Sequence, residues 1–488
     1  MRYIKDALPA IWSGFTMSTI TEFPKTLTVD APTDQVELAT TELLEKYDGR
    51  VPRYTSYPTA PHFSERVTPK IYGAWLSDLP DGAPLSLYLH VPFCDSLCWF
   101  CGCNTTVVNR PEPVVRYVDL LLQEIDMVAR SIGERRQVSQ IHLGGGSPTI
   151  LTAEQVARVF ARLRHNFDVR SDAEIAVEID PRGLSEDTIA AFAEAGLTRA
   201  SIGVQDVNPK VQDAINRIQS HETTTRCVEL LRKHGVEKLN LDLMYGLPYQ
   251  GIDDLRETVR QNLELSPDRV AVFGYAHVPW MKKHQKLIPE DALPGTEARW
   301  QQYREAANWL VGAGYYPVGL DHFARPDDSM AKALREGWLH RNFQGYTTDL
   351  APALLGLGAS AIGKTPQGYV QNHKDVPNYA AAIKDGRLPT VKGVEVGPDD
   401  AMRSDAIEQL MCFMSVDVSE VAERHGADPS VFDPAIEQLR EMEADGLLRI
   451  TGSRVTVLEC ARPLLRTAAS VFDAYLENTA QRRHASAV

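Results

Sequence analysis

From about residue 85 onward the chain alternates short β-rich runs with longer segments of helical periodicity, and few folds accommodate that alternation. The runs LSLYLHVPF (from residue 85), QIHLGGG (140), EIAVEID (174), RASIGVQD (199), KLNLDLMYGLP (238) and RVAVFGYAHVP (269) read as six strands. Between them lie PVVRYVDLLLQEIDMVAR, TAEQVARVFARLRHNF, SEDTIAAFAEAG, CVELLRKHG and DDLRETVRQNLEL. Each carries apolar residues at helical spacing and is long enough to cross between parallel strands. The repetition predicts an α/β chain built on a partial or near-complete parallel (β/α) barrel, whose working face lies at the strand C-termini. A further strand-like run, YYPVGLDHFA from 315, extends or follows the sheet.

Outside the barrel, expected over residues 81–325, the punctuation changes. Residues 1–80 form an N-terminal extension with an arm, RYTSYPTA at 53–60, that Pro58 keeps from being a regular element. Residues 326–395 read as a barrel-associated segment ending in a linker, GRLPTVKGVEVGPDD. Residues 396–488 read as a small, mainly helical, winged-helix-like domain: DAMRSDAIEQLMCFM, DPAIEQLREMEADGLL and PLLRTAASVFDAYLE as helices, LLRITG and RVTVLE as strands. Its acidic balance favours an interaction or lid role over DNA binding.

At 488 residues and 43% hydrophobic content, two or three domains with a large core are expected. The net charge of -14 gives no long-range attraction to nucleic acid or to an anionic membrane, so an anionic ligand needs a local basic pocket. The first 23 residues lack the apolar core and cleavage site of a secretion signal, and Met17 is an alternative start. The cysteine count is odd, seven, with four crowded between Cys94 and Cys103, too close for a pairwise disulfide framework. A reducing, cytoplasmic compartment is expected.

The cysteine segment Cys94-Asp-Ser-Leu-Cys98-Trp-Phe-Cys101-Gly-Cys103 follows the first strand at the end where a barrel carries its site. Three closely spaced thiolates can hold three irons of a cubane cluster and leave the fourth open to chelate the amino and carboxylate groups of a small molecule. A zinc site asks for two separated CxxC-like pairs, and an electron carrier for a fourth cysteine three residues on; neither spacing is present. Cys103 stays open as a fourth ligand, a structural thiol or a functional group. Gly144-Gly145-Gly146-Ser147 ends the second strand, with Thr152 and Gln155 as a capping box for the next helix. The run lacks the Lys-Ser/Thr of a phosphate loop, and a tight turn explains it equally well. Glu178 ends the third strand, where its carboxylate can accept from hydroxyls or an ammonium, or be a solvated strand-end acid. Tyr88 and His90 share one face of the first strand; Tyr88 can shield the cluster or touch a cofactor, and His90 reads as a packed histidine. Cys227, Cys412 and Cys460 read as core residues, the last at a strand end.

Cys94-x3-Cys98-x2-Cys101, with Phe100 before the last cysteine, is similar to the signature of the radical S-adenosylmethionine superfamily. Extended to YLHVPFCDSLCWFCGC and joined by RYTSYPTA, HLGGGSPT, VEIDPRG, SIGVQD, NLDLMYGLP, DHFARPDD and HRNFQGYTT, the pattern resembles the oxygen-independent coproporphyrinogen III oxidases from about residue 50 to the C-terminus. Ser147 stands where that family is expected to carry Thr.

The resemblance implies one 4Fe-4S cluster on Cys94, Cys98 and Cys101 and two S-adenosylmethionine molecules. Tyr88, Gly145 and Glu178 would contact the first, and Phe100, Gly146, Ser147, Gln205, Arg217, Asp242, Ala276 and Ile362 the second. Gln205, Asp242 and Ala276 are read at corresponding strand ends, and Arg217 on the helix that follows. Ala276 and Ile362 are ordinary core residues without the resemblance. The implied reaction converts two propionates of coproporphyrinogen III to vinyl groups, giving protoporphyrinogen IX without dioxygen. It needs an electron donor, of the reductase or flavodoxin/ferredoxin type, and an electron acceptor. Neither a nucleic-acid nor a membrane partner is expected, and the chain is expected to be a monomer. Cys103 and Arg53 are candidates on the substrate side, Arg53 as a bidentate partner for a carboxylate with Tyr54 and Tyr57 beside the macrocycle. A haem-binding or haem-trafficking relative that keeps the cluster without decarboxylating is the alternative.

Overall fold

The computed structural model describes residues 39–476, so Met17 lies outside the described residues. The six expected runs are strands β1 (Leu85–Val91), β2 (Gln137–Gly145), β3 (Asp168–Ile179), β4 (Arg199–Gln205), β5 (Lys238–Tyr245) and β6 (Arg269–Gly274), each parallel to the next. Helices α1 (Glu112–Ile132), α2 (Ala153–Asn166), α3 (Glu186–Glu194), α4 (His221–Lys233) and α5 (Ile252–Glu264) fill the crossovers. In β5, Leu239, Leu241 and Leu243 are fully buried, whereas Asn240 and Asp242 project to the opposite face, so two-residue alternation gives the barrel an apolar jacket and a polar interior. Thr152 and Gln155 exchange both hydrogen bonds of the expected capping box at the start of α2.

The strand-like run at 315 is a hairpin, β7 (Tyr316–Val318) and β8 (His322–Ala324), that extends the sheet antiparallel to β6. On the other side the sheet runs further than the expected strands. A seventh parallel strand, β9 (Ala353–Leu357), pairs with the free edge of β1, and β10 (Ile362–Thr365), β11 (Gly368–Asn372) and β12 (Thr390–Glu395) continue antiparallel. The run read as a linker is therefore in part sheet. Gly393 permits it, because a Cβ there would lie 2.2 Å from the Tyr369 carbonyl oxygen. The resulting sheet of 12 strands has the order β12-β11-β10-β9-β1-β2-β3-β4-β5-β6-β8-β7 and leaves β1 in the interior, with the barrel open among the described residues.

The C-terminal region contains α6 (Pro398–Phe413), β13 (Ser415–Asp417), α7 (Val418–Arg424), α8 (Asp433–Ala444), β14 (Leu448–Thr451) and β15 (Arg454–Val457), with sheet order β13-β15-β14. PLLRTAASVFDAYLE is not one helix. Among its described residues only Leu465–Ser470 is α-helical, after a 3-10 segment (Glu459–Leu464) that contains Pro463 and places Cys460 in a helical turn rather than at a strand end. This region has its own core around Phe432 and Phe472, which meet edge to face with centroids 5.6 Å apart. Tyr54 and Tyr57 of the N-terminal arm belong to that core: Tyr54 donates to Asp473 (3.0 Å), and Tyr57 accepts from the Ala474 N–H (2.9 Å). They are not free to flank a macrocycle, whereas Arg53 is exposed between these anchors and the barrel.

One buried carboxylate joins the new strands to the old. Glu124 of α1 accepts from the Gly358 N–H (2.6 Å), Asn372 Nδ2 (2.6 Å) and the Tyr379 hydroxyl (2.7 Å). Tyr117 beside it donates to the His90 carbonyl (2.6 Å) and accepts from the Ala359 N–H (2.9 Å), which pins the C-terminal end of β1. Burial pushes the Glu124 carboxyl up to about 7 against its three donors. The folded state thus binds this proton more tightly than the unfolded chain. The stabilisation is complete below the unfolded carboxylate range and is lost as pH rises through about 7. Thermal unfolding at a series of pH values should show this loss, at most on the order of 3 kcal/mol, and Glu124→Gln should flatten it.

Candidate functional site

β1 delivers the chain into a loop that folds back on itself, because Phe93–Cys94 pairs with Thr106–Val107. The cysteine segment is clamped from two sides. Trp99 N–H donates to the Ile215 carbonyl (2.9 Å) and Asn216 Nδ2 to the Leu97 carbonyl (2.8 Å). From the segment after β6, Lys282 Nζ donates to the Cys103 carbonyl (2.9 Å), His284 Nε2 to that of Cys101 (2.8 Å) and Gln285 Nε2 to that of Phe100 (3.0 Å). These contacts occupy backbone oxygens and leave the thiols to a ligand. Cys98 Sγ accepts from Arg182 Nη2 (3.2 Å) and Arg217 Nη1 (3.5 Å), Cys94 Sγ meets Thr105 Oγ1 (3.1 Å), and the Cys103 N–H donates to Cys101 Sγ (3.4 Å). Burial pushes the Cys94 thiol up to about 11, whereas the adjacent Cys103 holds Cys101 below the usual thiol range.

Among the described residues no three His, Cys, Asp or Glu side chains converge on one point, as a single metal ion would require. A cubane cluster asks for something else: three thiolates reaching three different irons, with cations nearby to hold their charge. Arg182 and Arg217 supply those cations, both paired with Asp180 (2.6 and 3.2 Å), which they hold below its usual range against the effect of burial. The residues present fit such a cluster.

The glycine run is dictated by close approach. A Cβ on Gly144 would lie 2.6 Å from the Glu178 carboxylate, and one on Gly146 2.5 Å from the Phe93 carbonyl oxygen. At Gly145, φ is +113° and a Cβ would lie 2.4 Å from the His90 ring. Ser147 is buried, with its hydroxyl 3.1 Å from that of Thr149. Glu178 accepts from His142 Nε2 (3.2 Å) and from the Gly145 N–H (3.1 Å), and despite burial these partners hold it below the usual carboxylate range. Tyr88 donates to His90 Nδ1 (3.0 Å), and His90 donates through Nε2 to the Asn104 carbonyl (3.0 Å), so His90 braces the glycine turn and the cysteine loop together.

Gln205 ends β4 in the left-handed region (φ +71°), and its amide converges with the Arg217 guanidinium over Gly203. Arg217 is not on a helix as expected; it lies in the turn between Pro209–Ala214 and α4. Asp242 is not at a strand end but within β5, inside the barrel, where it accepts from Ser201 Oγ (3.0 Å) and Asn240 Nδ2 (2.8 Å) and burial pushes it up to about 6.

Ala276 follows the end of β6, and its carbonyl accepts from Gln285 (3.2 Å), the residue that also holds Phe100. Ala276 lines a cavity of about 600 Å³ beyond the ends of β5 and β6, whereas Ile362, at the start of β10, lines an adjoining one of about 280 Å³. Arg341 and Phe343 border both. The larger cavity was hidden from the sequence reading. Arg50, Arg53, Arg299, Arg341 and Arg466 line it, from four separate parts of the chain. Arg341 and Asp321 on its wall did stand in the motifs HRNFQGYTT and DHFARPDD, the available signal.

Residues 88–261 match the radical SAM superfamily, and residues 396–464 the HemN C-terminal domain. An oxygen-independent coproporphyrinogen III oxidase of Bradyrhizobium diazoefficiens is 51% identical, over 88% of this chain and 95% of the relative. One of Paracoccus denitrificans is 44% identical, over 92% and 98%. The solved structure of the Escherichia coli coproporphyrinogen III oxidase HemN, described as a radical SAM enzyme, superposes with a TM-score of 0.85 at 37% identity, covering 90% of this chain and all of that one.

Gly145→Ala should destabilise the protein by about 1–3 kcal/mol, since it adds a left-handed alanine and a clash with His90. Gly102→Ala, whose methyl would meet nothing within 4 Å, should be neutral in the same thermal-unfolding measurement.

Proposed function

The chain belongs to the oxygen-independent coproporphyrinogen III oxidases of the radical SAM superfamily, and we propose that its arginine-lined cavity receives the tetrapyrrole while Cys94, Cys98 and Cys101 hold the cluster. The reaction is the oxidative decarboxylation of two propionates of coproporphyrinogen III to vinyl groups in haem biosynthesis. One observation carries the assignment of the cavity. Arg50, Arg53, Arg299 and Arg341 have no ion pair within 4.0 Å to a described carboxylate, in a chain whose net charge is -14, and the substrate brings four carboxylates.

A reduced 4Fe-4S cluster and S-adenosylmethionine, when bound, supply a carbon radical able to take hydrogen from an unactivated C–H bond, which no side-chain base can do. The chain's own residues bind, orient and exclude. Arg182 and Arg217 keep positive charge at Cys98, and Lys282, His284 and Gln285 fix the loop carbonyls. The same segment lines the substrate cavity through Ala276, so the cofactor end and the substrate end share one rigid connection. Glu178, beside the glycine turn with Tyr88, is suited to the amino group of the first cofactor molecule. A second molecule is supported by the convergence of Gln205 and Arg217, with Phe100, Gly146 and Ser147 as further candidate contacts. Asp242, held within the barrel, and Ile362, in the adjoining cavity, remain further contacts of this proposal. Cys103, exposed and hydrogen-bonded to Cys101 through its backbone, is assigned to the substrate side rather than to iron. Among the described residues Cys94, Cys98, Cys101, Cys103, Cys227 and Cys412 form no disulfide, which supports a reducing, cytoplasmic location, and no described helix is long and apolar enough to cross a membrane. A monomer with separate electron donor and acceptor completes the proposal.

Anaerobic protein given reductant, S-adenosylmethionine and coproporphyrinogen should form 5'-deoxyadenosine and vinyl products. Cys94→Ser, Cys98→Ser or Cys101→Ser should bleach the cluster absorbance and abolish both, whereas Cys103→Ser should keep the cluster's absorbance and EPR signal. Loss of the cluster in Cys103→Ser would make it a ligand and exclude an open iron. Equilibrium dialysis of cluster-replete protein should find two S-adenosylmethionine sites per chain, and a single site would remove the second.

A further inference from the structure

Two acids, Asp48 and Asp321, stand on the wall of the arginine-lined cavity, and Asp321 is the one fixed beside the ends of the barrel strands, in a position that four incoming carboxylates would not favour. Asp321 lies in the turn between β7 and β8. The turn is held from several sides: the Asp321 carbonyl accepts from the Val272 N–H of β6 (2.8 Å), the Leu320 carbonyl from the Tyr303 hydroxyl (3.1 Å), and the Leu320 N–H donates to the Tyr346 hydroxyl (2.9 Å). Gly319 (φ +57°) lets Tyr346 approach so closely that no Cβ would fit. Asp321 is therefore preorganised rather than free to turn away.

Its hydrogen bonding is incomplete. Oδ1 accepts from His322 Nδ1 (2.7 Å), and the described residues give the carboxylate no other side-chain partner. None of Arg50, Arg53, Arg299 and Arg341 comes within 4.0 Å of it as an ion pair. Burial pushes the carboxyl up, but His322, Arg341 and Arg53 outweigh it and hold the group below its usual range, so it faces the cavity ionised. A carboxylate held in place with one oxygen open to the cavity offers acceptor positions to the donors of a ligand.

We propose that Asp321 receives the pyrrole N–H groups at the centre of the porphyrinogen ring, while the surrounding guanidiniums take the carboxylates at its rim. The assignment rests on the reading that this cavity holds the substrate. A porphyrinogen has four N–H donors and no acceptor at its centre, and an ionised carboxylate has two oxygens with about four acceptor positions. The oxidised porphyrin carries the same rim carboxylates but has two N–H groups and two bare nitrogens, whose lone pairs would face the carboxylate. Asp321 is thus a specificity residue: it reads the oxidation state of the ring, which the arginines cannot, and rejects the oxidised porphyrin by acceptor–acceptor repulsion.

The test uses cluster-replete protein under anaerobic conditions, with coproporphyrinogen III and coproporphyrin III as two probes of equal charge. Asp321→Asn keeps the shape and an oxygen that can accept from His322, and removes the negative charge. It should weaken porphyrinogen binding by on the order of tenfold or more and leave porphyrin binding unchanged or tighter, while the cluster absorbance stays. If both affinities fall by the same factor, or neither moves, while Arg299→Ala weakens both ligands, the proposal is overturned and the cavity assignment survives. If Arg299→Ala and Arg53→Ala leave both ligands unaffected, the cavity is not the substrate site and the proposal falls with it. His322→Ala guards against a purely structural role: Asp321 as a mere support for His322 predicts the same change in discrimination from either variant, whereas a direct contact predicts that His322→Ala preserves the preference for the reduced ring.

Discussion

β1 is hydrogen-bonded in parallel on both edges, to β2 and to β9, and everything at the mouth of the barrel is positioned by those two ladders. The register with β2 sets His90 opposite Gly144 and Val91 opposite Gly145, so the cysteine loop and the glycine turn leave the sheet side by side. The next ladder sets Leu143 opposite Val177, which brings Glu178 against the turn. A slip of one residue would turn Tyr88 and His90 out of the interior and put leucines in their place. Nor can the central strand fray, because each buried backbone group left unpaired costs about 1–3 kcal/mol.

The electrostatic layout follows from burying charge selectively. The chain is acidic overall, yet guanidiniums gather at two places near the mouth of the barrel. At the cysteines, Arg182 and Arg217 are neutralised in part by Asp180 and lend their remaining field to Cys98. In the large cavity Arg50, Arg53, Arg299 and Arg341 have no such partner among the described residues, and their field is left to an anion that enters. Long-range attraction is absent, so recognition depends on these short-range contacts and on the exclusion of water around them.

The N-terminal arm shows how one short segment serves two cores. Tyr54 and Tyr57 pack among the C-terminal helices, whereas Arg53 and Thr55 line the cavity at the barrel mouth. The C-terminal region therefore borders the cavity through the arm it holds, and through Arg466, rather than as a detached appendage.

Local chemistry made much of this protein legible from its residues alone. Period-two and period-3.6 patterning marked six strands and the crossover helices, the spacing of Cys94, Cys98 and Cys101 marked the candidate cluster loop, and Thr152 with Gln155 marked a helix start, because each signal is carried by neighbours in the chain. β9 escaped because ALLGL is short and has no β-branched residue, and β12 because Pro and Gly around it read as a loop; both are strands by virtue of partners distant in sequence. Tyr54 and Tyr57 were assigned to the wrong side for the same reason, since burial is a property of the far wall. The five arginines come from positions 50 to 466 and have no common pattern, so only the folded chain could gather them into one cavity with Asp321 on its wall. Residues that bind through local geometry announce themselves in sequence, whereas a pocket assembled from separate elements exists only once long-range packing has overcome the entropy of bringing them together.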